Sequence, residues 1–162
     1  MQRVTPAVNA LRTAGIPFTV HEYEHDPAAR NFGLEAATVL GLDPDQVFKT
    51  LLVTADDEQA VAVVPVSCSL SLKAMGTALG RKRVAMCDPA MAQRVTGYVL
   101  GGISPFGQRT QLRTVLDETG ELYDTIYVSG GRRGLDLGVA PADLIRLLDA
   151  VTADVTLRAP RK

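Results

Sequence analysis

Tryptophan is absent, and only two histidines, two cysteines and eight phenylalanines and tyrosines are spread over 162 residues. Cys68 and Cys87 lie far apart with no CxxC. Both read as reduced thiols of a cytosolic, cytoplasmic protein. No charge sign dominates: 17 Lys and Arg face 18 Asp and Glu, for a net charge of −1. An independent nucleic-acid binder usually carries a strong basic excess, so any such binding here is local or assisted. No apolar run approaches the ~20 residues of a membrane span, and the N-terminus lacks the basic-then-apolar form of a signal peptide. No membrane role is expected. There is no repeat, linker or low-complexity stretch, so residues 1–162 read as one domain long enough for a real core.

Several kinds of chemistry are also missing. No G-x-S-x-G marks a nucleophilic serine, and neither cysteine has an activating signature beside it. No dinucleotide fingerprint or phosphate loop is present, so no cofactor is implied. HEYEH, residues 21–25, matches the zinc-protease letters H-E-x-x-H. That chemistry needs a helix, but Pro17 and Pro27 bracket the stretch and FTV leads into it. In a strand, His21 and His25 would be roughly 13 Å apart at about 3.3 Å per residue. No third histidine exists, so no metal site is expected. His21, Tyr23 and His25 would then share one strand face, either solvated or walling a cleft.

The segments that are present alternate helix and strand signals without a regular βαβ rhythm. TPAVNALRTAG (5–15) carries a capping Thr5, Pro6 at the first helical position and a closing Gly15. DPAMAQRVTG (88–97) repeats that grammar, and APADLIRLLDA (140–150) has Pro141 near its start. LEAATVLG (34–41) and SLKAMGTALG (71–80) read as two further helices closed by glycine. Ser67, Ser69 and Ser71 read as caps rather than nucleophiles. Strand signals lie in FTVHEY, VFKTLLV, AVAVVPV, RVAM, YVLGG, LRTVLD and DTIYVSG. DDEQ (56–59) reads as a hairpin turn, and Pro65 marks a strand at an edge or at its end. The expected class is α+β, a mixed curved sheet or partial barrel flanked by helices.

Two features invite a functional reading. Lys49 stands inside the apolar run VFKTLLV, on the strand face shared by Val47, Leu51 and Val53. A buried unpaired ammonium costs several kcal/mol. Either its stem lies along the surface with the head in water, or the head enters a cleft. The second feature is a pair of glycine-rich stretches, GYVLGGISPFG (97–107) and YVSGGRRG (127–134). Gly101–Gly102 and Gly130–Gly131 allow close approach of a ligand or left-handed backbone, and successive N–H groups can form an anion nest. Ser129 and Asp136 adjoin the second stretch. Basic patches at Arg81–Lys82–Arg83, at Arg132–Arg133 and in the tail from Arg158 are solvated surface or local contacts for phosphates.

In this order, MQRVTPAVNALRTAGIPFTVHEYEHDP, FGLEAATVLGLDPDQVFKTLLV, TGYVLGGISPFGQRT and TIYVSGGRRGLDLGVAPADL resemble the YbaK/EbsC family of aminoacyl-tRNA deacylases. The resemblance covers nearly the whole chain. It implies the fold of the editing domain of bacterial prolyl-tRNA synthetases. It further implies removal of a wrong amino acid from tRNA, above all cysteine from tRNA(Pro), with the cysteine's own thiol attacking its ester. Aminoacyl-tRNA and prolyl-tRNA synthetase are the implied partners. Lys49 corresponds to the family's cleft lysine, and Tyr23 and Phe32 to aromatic positions near it. Gly101, Ser129 and Asp136 correspond to positions around the aminoacyl end. On this resemblance Lys49, Gly101 and Asp136 are the catalytic candidates, and Tyr23, Phe32, Gly102, Ser129 and Gly130 the substrate-binding ones. Related domains act on alanine, and a non-catalytic tRNA- or synthetase-binding module is the rival of another class.

Overall fold

Among the described residues, five short α-helices are defined by their caps. In α1 (Pro6–Ala14), the Thr5 hydroxyl accepts from the Val8 N–H, and Gly15 closes the helix in the left-handed conformation. Asn31 caps α2 (Phe32–Leu40), Ser71 caps α3 (Leu72–Leu79) and Asp88 caps α4 (Pro89–Thr96), each of the three ending at a left-handed glycine. Only α5 (Pro141–Leu148) lacks a side-chain cap, and Pro141 stands at its start instead. The computed structural model describes residues 4–157; the basic tail noted from Arg158 lies outside them.

The described residues also form ten strands: β1 (Thr19–Glu22), β2 (Phe48–Ala55), β3 (Glu58–Pro65), β4 (Ser69–Leu70), β5 (Val84–Met86), β6 (Thr114–Asp117), β7 (Ile126–Arg132), β8 (Leu135–Val139), β9 (Val151–Ala153) and β10 (Thr156–Leu157). Their sheets have the orders β5-β2-β3-β6-β9, β1-β8-β7 and β10-β4. The five-stranded sheet is mixed: β2 is antiparallel to β3 and β5, while β6 is parallel to β3 and β9. A bridge between Val47 and Tyr127 joins the two larger sheets, and the Tyr127 N–H donates to the Gln46 carbonyl at 3.1 Å. The result is the expected α+β mixed, curved sheet.

One core lies between the larger sheets. Phe48, Leu52, Val63 and Leu116 meet Ile126, Val128, Leu135 and Leu137, closed by Leu11 of α1 and Leu144 of α5. On the opposite face of the five-stranded sheet, Val53, Ala60, Ala62 and Val64 pack against Met75 and Leu79 of α3.

Several strand expectations change. YVLGG is not a strand: residues 98–102 turn, Gly101 has φ 82°, and Tyr98 is buried with its hydroxyl donating to the Phe106 carbonyl at 2.6 Å. Of the two readings of Pro65, the strand end holds and the edge does not, since β3 lies between β2 and β6. β1 stops at Glu22, so His21 and His25 do not share a strand face. Ser71 alone of the three serines is a cap; Ser67 donates to Asp45 at 2.6 Å and Ser69 belongs to β4. LRTVLD begins its strand only at Thr114. These differences share a cause: turns and edge pairings depend on distant partners that local pattern does not contain.

Thr5 has a second task. Its buried hydroxyl also donates to the Gly130 carbonyl, tying α1 to the end of β7. Thr5→Ala removes a cap and leaves a buried carbonyl unpaired, so it is expected to cost about 2 kcal/mol. Urea unfolding measures this directly, and Thr5→Ser recovers most of it.

Candidate active site

The N-terminal half of β2 has an open flank. On that side β5 pairs with Val53, Thr54 and Ala55, and the bridge to β7 falls at Val47, just before the strand. A cavity of about 380 Å³ lies along this gap, lined by every residue from Val47 to Leu51. Strand alternation therefore does not decide which of them meets it. Lys49 is half-buried and lines the cavity, as do Tyr23, Phe32, Gly101, Ser129 and Asp136. Gly102 and Gly130 do not line it.

Those two glycines permit close packing. A Cβ on Gly102 would stand 2.8 Å from Arg132 Cα and 3.0 Å from Arg133 N, both backbone atoms. A Cβ on Gly130 would stand 2.6 Å from the Leu135 side chain. Gly101 behaves differently, because a Cβ there would enter the Phe32 ring at 2.7 Å, and its φ of 82° already favours glycine. The second glycine stretch is itself strand, with the β7–β8 register shifting between Ser129 and Arg132. Ser129 Oγ accepts from the Gly131 N–H at 3.2 Å.

Asp136 lies on β8, opposite His21 of β1 and Ser129 of β7. It is 6% exposed and forms no ion pair or hydrogen bond through its side chain among the described residues. Burial pushes its carboxyl up to about 7. The Lys49 ammonium likewise has no ion-pair or hydrogen-bond partner among the described residues, and burial lowers its pKa. Burial pushes the Tyr23 phenol up to about 12, with Asp136 adding to the shift. Two ionisable groups lacking protein partners in one cavity are poised for a ligand.

Sequence reading did not find several lining residues: Arg30, Asn31, Gly33, Ala36, Thr50, Leu100 and Ile103 among them. Thr50 is the most informative, since its hydroxyl is buried without a partner. Such a group is completed by water or a ligand. No motif marks it; its adjacency to Lys49 was the available signal.

HEYEH divides its residues among separate tasks. His21 bonds Thr19 Oγ1 at 2.8 Å and sets its ring edge-on to Tyr127. Tyr23 holds the strand line by donating its N–H to the Gly134 carbonyl at 2.9 Å. His25 pairs with Glu35 of α2 at 2.8 Å, and the other Glu35 oxygen accepts from the Asp26 N–H at 2.7 Å. No group of three His, Cys, Asp or Glu among the described residues is arranged to hold a metal.

Residues 26–147 match the family described as aminoacyl-tRNA editing domain. The chain belongs to this family. It is 32% identical to a relative named as the Cys-tRNA(Pro)/Cys-tRNA(Cys) deacylase EbsC of Enterococcus faecalis, over 97% of this chain and 96% of that protein. A segment of the proline–tRNA ligase of Citrifermentans bemidjiense is 31% identical over 51% of this chain and 14% of the ligase. The crystal structure of a protein assigned as a trans-editing enzyme for prolyl-tRNA synthetase superposes with a TM-score of 0.83 at 26% identity, covering 94% of this chain and 96% of that one. The YbaK/EbsC resemblance therefore holds for both sequence and fold. In this editing domain no helix among the described residues is long and apolar enough to cross a membrane.

The elevated Asp136 makes a sign-definite prediction. An unfolded chain releases this proton near 3.8, whereas the folded editing domain holds it to about 7. Between those values the unfolded state binds fewer protons, so stability falls as pH rises. The contribution is fully present below about pH 4 and lost above about pH 7, with an upper bound of about 4 kcal/mol at ~1.4 kcal/mol per pH unit. Asp136→Asn should therefore gain on the parent protein as urea midpoints are followed from pH 4 to pH 8. Parallel curves would contradict the assignment.

Proposed function

We propose that this protein is a trans-acting deacylase that removes cysteine misattached to tRNA(Pro), and that the substrate's own thiol opens the ester. The observation that carries the reading is the composition of the cavity wall. Lys49, Ser129, Asp136 and the buried Thr50 hydroxyl converge there, and the lining contains no cysteine or histidine. Ser129, the obvious hydroxyl, accepts from a backbone N–H and has no imidazole beside it. The wall suits positioning better than attack.

The chemistry needs little more. The cysteinyl sulfur attacks its own ester carbonyl, the C–S bond forms and the C–O bond to the ribose breaks. The thiol proton passes to the leaving ribose oxygen, and the cyclic thioester product then takes up water to give cysteine. An intramolecular nucleophile held in register has a very high effective concentration. Lys49, a cation lining the cavity beside Thr50, steadies charge developing on the ester oxygens. Asp136 and Ser129 orient the α-amino group and carbonyl, while Phe32 and Tyr23 wall the terminal adenosine. Gly101 leaves room for the Phe32 ring. Gly102 and Gly130 contribute to binding indirectly, by letting the surrounding segments pack.

A separate editing site answers a real difficulty, because an apolar pocket discriminates poorly between side chains as close in size as cysteine and proline. The net charge of −1 argues that tRNA identity is read together with a partner. Prolyl-tRNA synthetase is the partner proposed, supported by the relative and the solved structure that carry its name. A cytoplasmic location is part of the same proposal, since charged tRNA and synthetase are its substrate and partner.

A panel of cysteinyl-, alanyl-, seryl- and prolyl-tRNA tests the reading. Cysteinyl-tRNA is expected to be cleaved far faster than seryl-tRNA, by more than the ~10–200-fold that size alone supplies. That gap widens as pH approaches the thiol pKa near ~8.5. Replacing Cys68 and Cys87 with alanine leaves turnover largely unchanged. Preference for alanyl-tRNA, equal cysteinyl and seryl rates, or a folded but inactive cysteine variant would overturn the thiol mechanism. Lys49→Ala is expected to lower kcat by about two orders of magnitude with little change in urea midpoint; near-normal turnover removes Lys49 from the mechanism.

A further inference from the structure

The mouth of the cavity is built differently from its floor. Arg133 is exposed, yet its orientation is fixed twice. The guanidinium lies 4.6 Å from the Phe32 ring centroid, and its Nε donates to the Leu100 carbonyl at 2.8 Å. Its terminal nitrogens have no partner among the described residues. Arg30, also exposed, lines the cavity and makes no ion pair or hydrogen bond among the described residues. Between them begins α2, whose capping Asn31 and first residues Phe32 and Gly33 line the same opening. The amino end of a helix favours an anion.

Three neighbouring charges are already engaged. Arg132 is paired with Glu22 at 3.2 Å. Both Glu35 oxygens are occupied by His25 and the Asp26 N–H, and Asp26 Oδ1 accepts from the Ala28 N–H at 2.9 Å. Arg133 and Arg30 therefore have no ion pair among the described residues, while the carboxylates nearest in the fold are Glu35 in the first turn of α2 and Asp136 in the cavity.

We propose that Arg133 and Arg30 form a phosphate site at the cavity mouth, which binds the phosphodiester joining the terminal adenosine of the acceptor strand to the preceding nucleotide. This rests on the deacylase reading above. A cavity of about 380 Å³ has the size of a small-ligand pocket, sufficient for the aminoacylated nucleoside but not for a second nucleotide. The next group along the strand is a phosphate, and it falls where the arginines stand. Arginine suits this role because its planar fork pairs with two phosphate oxygens while its face stays on an aromatic ring.

The test compares two small substrates with the same aminoacyl group, the one the tRNA panel identifies: the 3′-aminoacyl ester of adenosine, and that of the dinucleotide cytidylyl-adenosine. The reported quantity is the ratio of their kcat/KM values, which cancels any general damage to the cavity. In the parent protein the dinucleotide is expected to be favoured by about tenfold or more, the scale of a charge-assisted hydrogen bond. Arg133→Ala brings the ratio close to one, Arg30→Ala lowers it partway, and Arg133→Lys does not restore it. Should Arg133→Ala not fold, Arg133→Gln, which retains a planar group over Phe32, is read the same way. A ratio in the Arg133 variants equal to the parent's, or a parent ratio of one, overturns the phosphate site and leaves the deacylase standing. A parent protein that cleaves no aminoacyl-tRNA and neither ester overturns the deacylase reading and this site with it.

Discussion

The arrangement of the site depends on one close approach. The turn at residues 98–102 lies against the end of β7 so tightly that a Cβ on Gly102 would meet two backbone atoms of Arg132 and the nitrogen of Arg133. A flexible side chain could yield to such a contact; backbone cannot. The approach brings Leu100 within hydrogen-bond reach of Arg133 and sets Gly101 against Phe32, whose ring carries the Arg133 guanidinium. On the inner side the same strand end is held by Thr5, through its bond to the Gly130 carbonyl. A helix cap, two glycine-rich stretches and an aromatic wall are thus mechanically one unit.

Within that unit the electrostatics favour function over stability. Asp136 is buried with no partner among the described residues, and Thr50 keeps an unsatisfied hydroxyl. A core built only for stability would pair or replace such groups. Lys49 adds an ammonium whose desolvation lowers its pKa. These costs are tolerated because the surrounding apolar packing is extensive, with Phe48, Phe106, Leu11, Met75 and Leu116 almost wholly enclosed. The unpaired groups are what a polar ester end could complete.

Much of the fold was legible in the chain. Three helices were marked by proline near their starts and four by a closing glycine, devices that act within a few residues, whereas the Asn31 cap of α2 went unread. The β2–β3 hairpin was marked by a polar turn between two β-rich runs. YVLGG was misleading because its apolar residues and aromatic suit a strand locally, whereas Gly101 in left-handed conformation and the buried Tyr98 hydroxyl favour a turn. HEYEH was correctly read as non-helical, but its three alternate residues separate because β1 ends at Glu22 and Glu35 draws His25 towards α2.

What the sequence alone determined was therefore local: the caps, the turn, the charge placed in an apolar run, and the family to which these motifs belong. Only the tertiary structure decided that Lys49, Ser129 and Asp136 face one cavity. That outcome depends on β5 pairing with the far end of β2 while the bridge to β7 falls before its start, a property of long-range pairing that no local pattern contains. Tertiary structure likewise separated Arg132, neutralised by Glu22, from Arg133, held on Phe32 with its terminal nitrogens outward. Adjacent identical residues have identical local propensity, and only the partners that folding brings to them assign different work.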